Sequence, residues 1–140
     1  MNDIEDNNNK QVEFTPPVLQ KAVFTKVEHL KPMTTGHNLV LKVLSTKVVI
    51  ERNREKKEVV SEAVVGDETG TVILTAKNEQ NDVVQPGNTI ILRNGNIKVF
   101  NGFMRLYVNM WGNIKLAPEP AEFTINTAND ISAVEYELQK

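Results

Sequence analysis

The chain of 140 residues contains no cysteine. That removes disulfide frameworks, thiolate zinc sites and cysteine nucleophiles together, and it favours a place inside the cell, in nucleus or cytoplasm. Histidine is scarce as well. His29 and His37 have neither the i, i+4 spacing nor the partner ligands of a metal site, so no metal is expected. No apolar run reaches the length of a membrane helix. The start, MNDIEDNNNKQVEFTPP, lacks the basic and apolar regions of a signal peptide, so no membrane partner is expected. GDETG and QPGN lack the lysine and hydroxyl residue of a P-loop and the spacing of a dinucleotide fingerprint. No nucleophile, base and orienting group can be assembled, so neither catalysis nor a cofactor is expected.

What is present begins with an uneven distribution of charge. The formal net charge is −2, yet residues 21–117 hold 14 Lys and Arg against 9 Asp and Glu. Residues 1–20 carry four acids and one Lys, and residues 118–140 five acids and one Lys. The expected organisation is therefore an acidic N-terminal tail over 1–20, one basic domain over 21–117 and an acidic C-terminal tail over 118–140. A chain of this size buries one core.

From Phe24 to Leu116 the sequence alternates strand-like runs with turn signals. HNLVLKVLSTKVVIE is long enough to bend around a small barrel, and the charged RNREKKE connects it to VVSEAVV. GDETG turns that run into TVILTAK, and NEQNDVVQPG leaves room for a short helical turn or loop. NTIILRNGNIKVF and FMRLYVNMWGNIKL complete the set. Five strands with a break after the third predict an all-β, five-stranded OB-fold barrel, with an SH3-like barrel the alternative that strand count leaves open. Prolines in APEPAEF end the domain. NDISAVEYELQK can form a short helix, capped by Asn129 or Asp130, with Ile131, Val134 and Leu138 on one side.

The last two runs flank Asn101-Gly102, a dipeptide suited to a type I′ turn. A two-residue turn pairs Phe100 with Phe103, Lys98 with Arg105 and Asn96 with Tyr107. Ile97, Val99, Met104, Leu106 and Val108 then face a core. The other face carries Asn96, Lys98, Phe100, Phe103, Arg105 and Tyr107, with Asn109 and Trp111 in phase if the strand continues. Rings that stack bases, interleaved with cations that follow a phosphate backbone, are what single-stranded nucleic acid needs. Lys98 opposite Arg105 is unfavourable unless an anion sits between them. Arg52, Arg54, Lys56 and Lys57 are expected in the loop between the first two strands, beside the binding face of an OB barrel.

VVGDETGTVILT followed by VVQPGNTIILRNGNIKVFNGFMRLYV resembles the single-OB-fold eukaryotic single-stranded DNA-binding proteins of the SOSS repair complex, and with them the OB domains of replication protein A. FTKVEHLKP, GHNLVLKV and RLYVNMWGNIKLA resemble still more the small OB-fold proteins best known from plants. The resemblance covers about Phe24 to Leu116. It implies a barrel that binds single-stranded DNA, with RNA the variant, without metal or catalysis, in a repair or replication complex. It also implies base stacking by Phe100 and Tyr107. Two further aromatics of the SOSS-type proteins fall on Lys77 and Asn96, where Lys77 keeps a phosphate contact and Trp111 offers a substitute ring. The alternative function is a protein-binding adaptor that uses its acidic tails or the Ile131, Val134 and Leu138 face.

Overall fold

A computed structural model describes residue 19 and residues 21–138; the N-terminal acidic stretch, Leu19 apart, lies outside the described residues. Six strands run in the order β1 (His37–Asn53), β2 (Lys57–Asp67), β3 (Gly70–Lys77), β4 (Thr89–Phe100), β5 (Phe103–Tyr107) and β6 (Asn113–Leu116). Each of β1 to β5 is rich in the β-branched and aromatic residues that suit a pleated, half-buried surface. Antiparallel ladders join β1 to β2, β2 to β3, β4 to β5 and β1 to β4. A parallel contact at Leu74 and Leu106 joins β3 to β5. The pairings thus return on themselves, as the OB-fold expectation requires.

The interior follows from the two-residue period of a strand. Leu39, Leu41 and Val43 of β1, Ala63 and Val65 of β2, Val72, Leu74 and Ala76 of β3, Ile90 and Leu92 of β4, and Met104 and Leu106 of β5 are buried in one cluster. After Val43 the distal part of β1 pairs with β2, and the two form a long ribbon that projects past the end of β3 beyond Val60. Bulges between Val43 and Ser45 and between Val48 and Ile50 bend it. Between β3 and β4 the expected helical turn is a 3-10 turn, Asn78–Asp82.

The GDETG turn is a structural hub. Asp67, 1 % exposed, accepts from Val27 N on one oxygen and from Thr69 N and the Thr69 hydroxyl on the other. Those three bonds tie the segment preceding the barrel to the β2 to β3 turn and satisfy a carboxylate that burial would otherwise penalise.

Three features differ from the sequence reading. The fifth run is divided: β5 pairs the distal end of β4, β6 pairs Ile90 to Arg93, and residues 108–112 bulge between them. The extra residues are needed because Arg93 faces Asn113 whereas Asn96 faces Tyr107. The expected helix over 129–138 is a three-residue 3-10 turn, Ile131–Ala133, with the Asp130 side chain accepting from Ser132 N. Ile131 is buried, but Val134 and Leu138 are 50 % and 93 % exposed, so the three form no shared face.

The stretch read as a tail runs along the barrel instead. Ala117 N donates to Thr89 O, Asn126 N to Asp67 O, Thr71 N to Asn129 O and Tyr136 N to Gly102 O. Ser132 Oγ accepts from Ile73 N of β3 and donates to Met104 O of β5. One hydroxyl thereby spans the seam where β3 and β5 diverge from their single contact. Bridges at Thr71 to Asp130 and Phe103 to Glu135 fix its C-terminal part on either side of Ser132.

Candidate nucleic-acid interface

The Asn101-Gly102 hairpin has the predicted register throughout, Phe100 opposite Phe103, Lys98 opposite Arg105 and Asn96 opposite Tyr107. Asn101 and Gly102 both take positive φ, 52° and 94°, as a type I′ turn demands. Ile97, Met104, Leu106 and Val108 face the core, and Val99 packs partly against it.

On the outer face the two opposed cations are accommodated by the diagonal neighbours that a sheet provides. Lys98 Nζ sits 5.0 Å from the Tyr107 ring centroid, and Arg105 Cζ 6.0 Å from that of Phe100. Each cation therefore lies against one ring face. Arg105 also meets an anion supplied by the protein, Glu62, whose Oε2 accepts from Arg105 Nε at 3.3 Å. Lys98 has no carboxylate partner among the described residues. Burial, with the charges of Lys77 and Arg105 behind it, holds its ammonium below the ordinary lysine range.

These side chains belong to an open groove of about 270 Å³. The ribbon contributes Val49, Ile50, Glu58, Val60 and Glu62, β3 contributes Thr75 and Lys77, and the hairpin Lys98, Phe100 and Arg105. Lys77, Lys98, Arg105 and Phe100 are thus gathered as the sequence suggested, with Tyr107 beside Lys98. Phe100 is 52 % exposed.

Other expected site residues lie elsewhere. Asn96 is opposite Tyr107 as expected but is buried; two residues before it Asn94 takes a positive φ of 57°. The β1 pairing shifts between His37 and Leu39 at the same place. Phe103 is half-buried beside the strap residue Glu135. Trp111 is 77 % exposed but lies in the bulge, its backbone N bonded to Asn109 Oδ1 and its carbonyl to Asn94 Nδ2. It therefore does not continue the hairpin face.

The basic loop is shorter than expected. β1 and β2 extend so far that only residues 54–56 turn, and Arg52, opposite Glu58 in the ladder, forms an ion pair with it at 3.3 Å. Arg54 and Lys56 stay in the exposed turn and Lys57 begins β2. Lys56 and Lys57 line a separate pocket of about 580 Å³ with Val59 and the Asn78–Asp82 turn.

Sequence reasoning missed the ribbon wall, Val49, Ile50 and Val60, and the groove residues Glu62 and Thr75. Their signal was the GDETG turn itself. Closing it at Asp67 and Gly70 places Glu62 opposite Thr75 and Val60 opposite Lys77.

Comparison with known proteins agrees with this geometry. The family described as single-stranded DNA binding protein Ssb-like, OB fold, matches residues 30–116. An uncharacterized protein of Arabidopsis thaliana is 44 % identical over 135 residues, 89 % of this chain and 88 % of its own. The single-stranded DNA binding protein Ssb of Saccharolobus solfataricus is 29 % identical over 110 residues, 73 % of each chain. The solution structure of a hypothetical protein from Arabidopsis thaliana superposes with a TM-score of 0.73 at 38 % identity, covering 94 % of this chain and 98 % of that one. With a match across the whole barrel, from Leu30 in front of β1 to the end of β6, the chain belongs to the Ssb-like OB-fold family of single-stranded DNA-binding proteins.

Proposed function

We propose that this chain is a non-catalytic module that holds single-stranded nucleic acid in the groove between the ribbon and the β4 to β5 hairpin. The observation that carries the reading is the cluster of Lys77, Lys98 and Arg105 beside Phe100 and Tyr107, in which Lys98 lacks a carboxylate counterion among the described residues. Phosphates would take the place of that missing anion. The free faces of the two rings would stack bases, as the resemblance to the SOSS-type proteins implies for these two positions. Single-stranded DNA is the favoured ligand and RNA the variant, in an intracellular repair or replication setting.

The test is fluorescence anisotropy of labelled oligo-dT and oligo-U of about 30 nucleotides, several times the span of one barrel, across a salt series. Three groove cations predict a slope of log affinity against log salt of about −2. The Phe100→Ala/Tyr107→Ala double variant should lose about 30-fold or more while keeping its melting temperature within a few degrees. Absence of binding at low salt rejects the reading. The adaptor alternative has one observation in its favour, the exposed Leu44, Val48 and Val49 on the ribbon; it predicts salt-independent failure to bind any oligonucleotide.

A further inference from the structure

A groove suited to a polyanion has two carboxylates among its lining residues; Glu58 is held in an ion pair by Arg52, whereas backbone binding gives no reason for Glu62. Arg105 uses only Oε2 of Glu62, approaching through Nε at 3.3 Å. Oε1 has no protein partner among the described residues, and the Glu62 side chain is 33 % exposed. Thr75 stands directly opposite Glu62 in the β2 to β3 ladder, and its hydroxyl likewise has no protein partner among the described residues. Around this polar pair stand the apolar Val49, Ile50 and Val60 from the ribbon and Phe100 from the hairpin, together with the three groove cations and Glu58.

The placement of Phe100 relative to Glu62 gives the pair a use. The guanidinium of Arg105 is 6.0 Å from the Phe100 centroid while its Nε is 3.3 Å from Glu62. Ring and carboxylate therefore flank one group and line one groove, so a base lying in it over the Arg105 guanidinium, beside Phe100, would have its edge towards Glu62. An ionised carboxylate only accepts hydrogen bonds. Phosphate oxygens are repelled by it, whereas an exocyclic amino group donates to it, as cytosine N4 does to Glu or Asp. Thymine and uracil present a carbonyl oxygen at that position. In a single strand the edge that carries these groups is unpaired and open to reading.

We propose that Glu62 and Thr75 form a base-reading subsite that selects bases with an exocyclic amino group, cytosine before thymine or uracil. Glu62 accepts from the amino group through Oε1, and the Thr75 hydroxyl donates to or accepts from the neighbouring edge atom. Glu62 thus serves two ends, fixing Arg105 through one oxygen and reading the base through the other. The inference rests on the groove being the nucleic-acid site.

The experiment compares oligo-dC with oligo-dT of equal length by anisotropy at pH 7.5, using the full chain and Glu62→Gln. The native chain should prefer oligo-dC by about fivefold, the low end of what one base-edge contact contributes. Glu62→Gln should bring that ratio to about one. An oligomer of N4,N4-dimethylcytosine, which has no amino hydrogen, should bind the native chain no better than oligo-dT, and this arm needs no variant to fold. Binding of neither oligomer overturns the proposed function itself. Equal binding of both oligomers, or a Glu62→Gln effect of the same factor on each, overturns the subsite and leaves the groove in place.

Discussion

Lys98, which we propose contacts the ligand, shows how such a residue can be costly to the fold that carries it. Its ammonium is partly removed from water and faces Lys77 and Arg105, so its folded value lies below the ordinary 10.5. For a cation with a depressed folded value, the unfolded chain holds the proton more tightly in the window between the two values. Stability is therefore full above 10.5, falls as pH drops from there through the depressed value, and carries the whole cost at neutral pH. Replacement by a neutral side chain of similar length removes that cost. Lys98→Met should melt at or above the temperature of the native chain at pH 7, and the gap should narrow as pH approaches 10.5. The same variant should bind oligo-dT more weakly. A lower melting temperature at pH 7 would mean that the contact with Tyr107 outweighs the repulsion. The chemical character of this residue was legible in the sequence, since an Asn-Gly turn fixes its partner as Arg105. What relieves the pair was not, because Glu62 comes from a strand far away in the chain.

At the scale of elements, legibility tracks how local the signal is. The hairpin register was readable from two residues, because positive φ at both turn positions admits little else than Asn-Gly. The burial of Asn96 was not: it stands opposite Tyr107 as expected, but alternation along one strand does not show what covers a residue. A side chain at Gly95 would collide with Leu92 and Leu106. The basic connection RNREKKE looked like a loop from its charges, yet cross-strand pairing of Arg52 with Glu58 draws most of it into the ribbon. The strap from Ala117 to Tyr136 gave no periodic signal, since it is held by backbone bonds, by scattered side-chain bonds through Lys42, Thr89, Asn126, Asn129 and Ser132, and by one buried apolar residue, Ile131, rather than by a continuous apolar face. Ser132→Ala should therefore act out of proportion to its size. It leaves Ile73 N and Met104 O without their partner at the β3 to β5 seam, at a cost of about 2 kcal/mol. Urea unfolding with an unchanged slope and a lower midpoint would check this. A midpoint equal to that of the native chain would show that the strap does not support the barrel.

For the whole molecule, the net charge of −2 conceals where the charges stand. Three cations of the barrel, Lys77, Lys98 and Arg105, gather in one groove, while the strap acid Glu135 lies beside Phe103 at the tip of the hairpin. A nucleic-acid strand would then be drawn towards Lys77 and Lys98 and away from that tip. The fold class and the hairpin half of the groove followed from the sequence, whereas the ribbon half needed the β1 to β2 and β2 to β3 registers together. The central claim is that this groove is the ligand site, and the most direct measurement is an NMR titration of 15N-labelled protein with oligo-dT of about 12 nucleotides. The account predicts salt-sensitive amide shifts concentrated at residues 58–62, 75–77 and 98–107. Shifts concentrated instead on the bulge at 109–112 or on the turn at 54–56, or no shifts at saturating oligonucleotide, would contradict it.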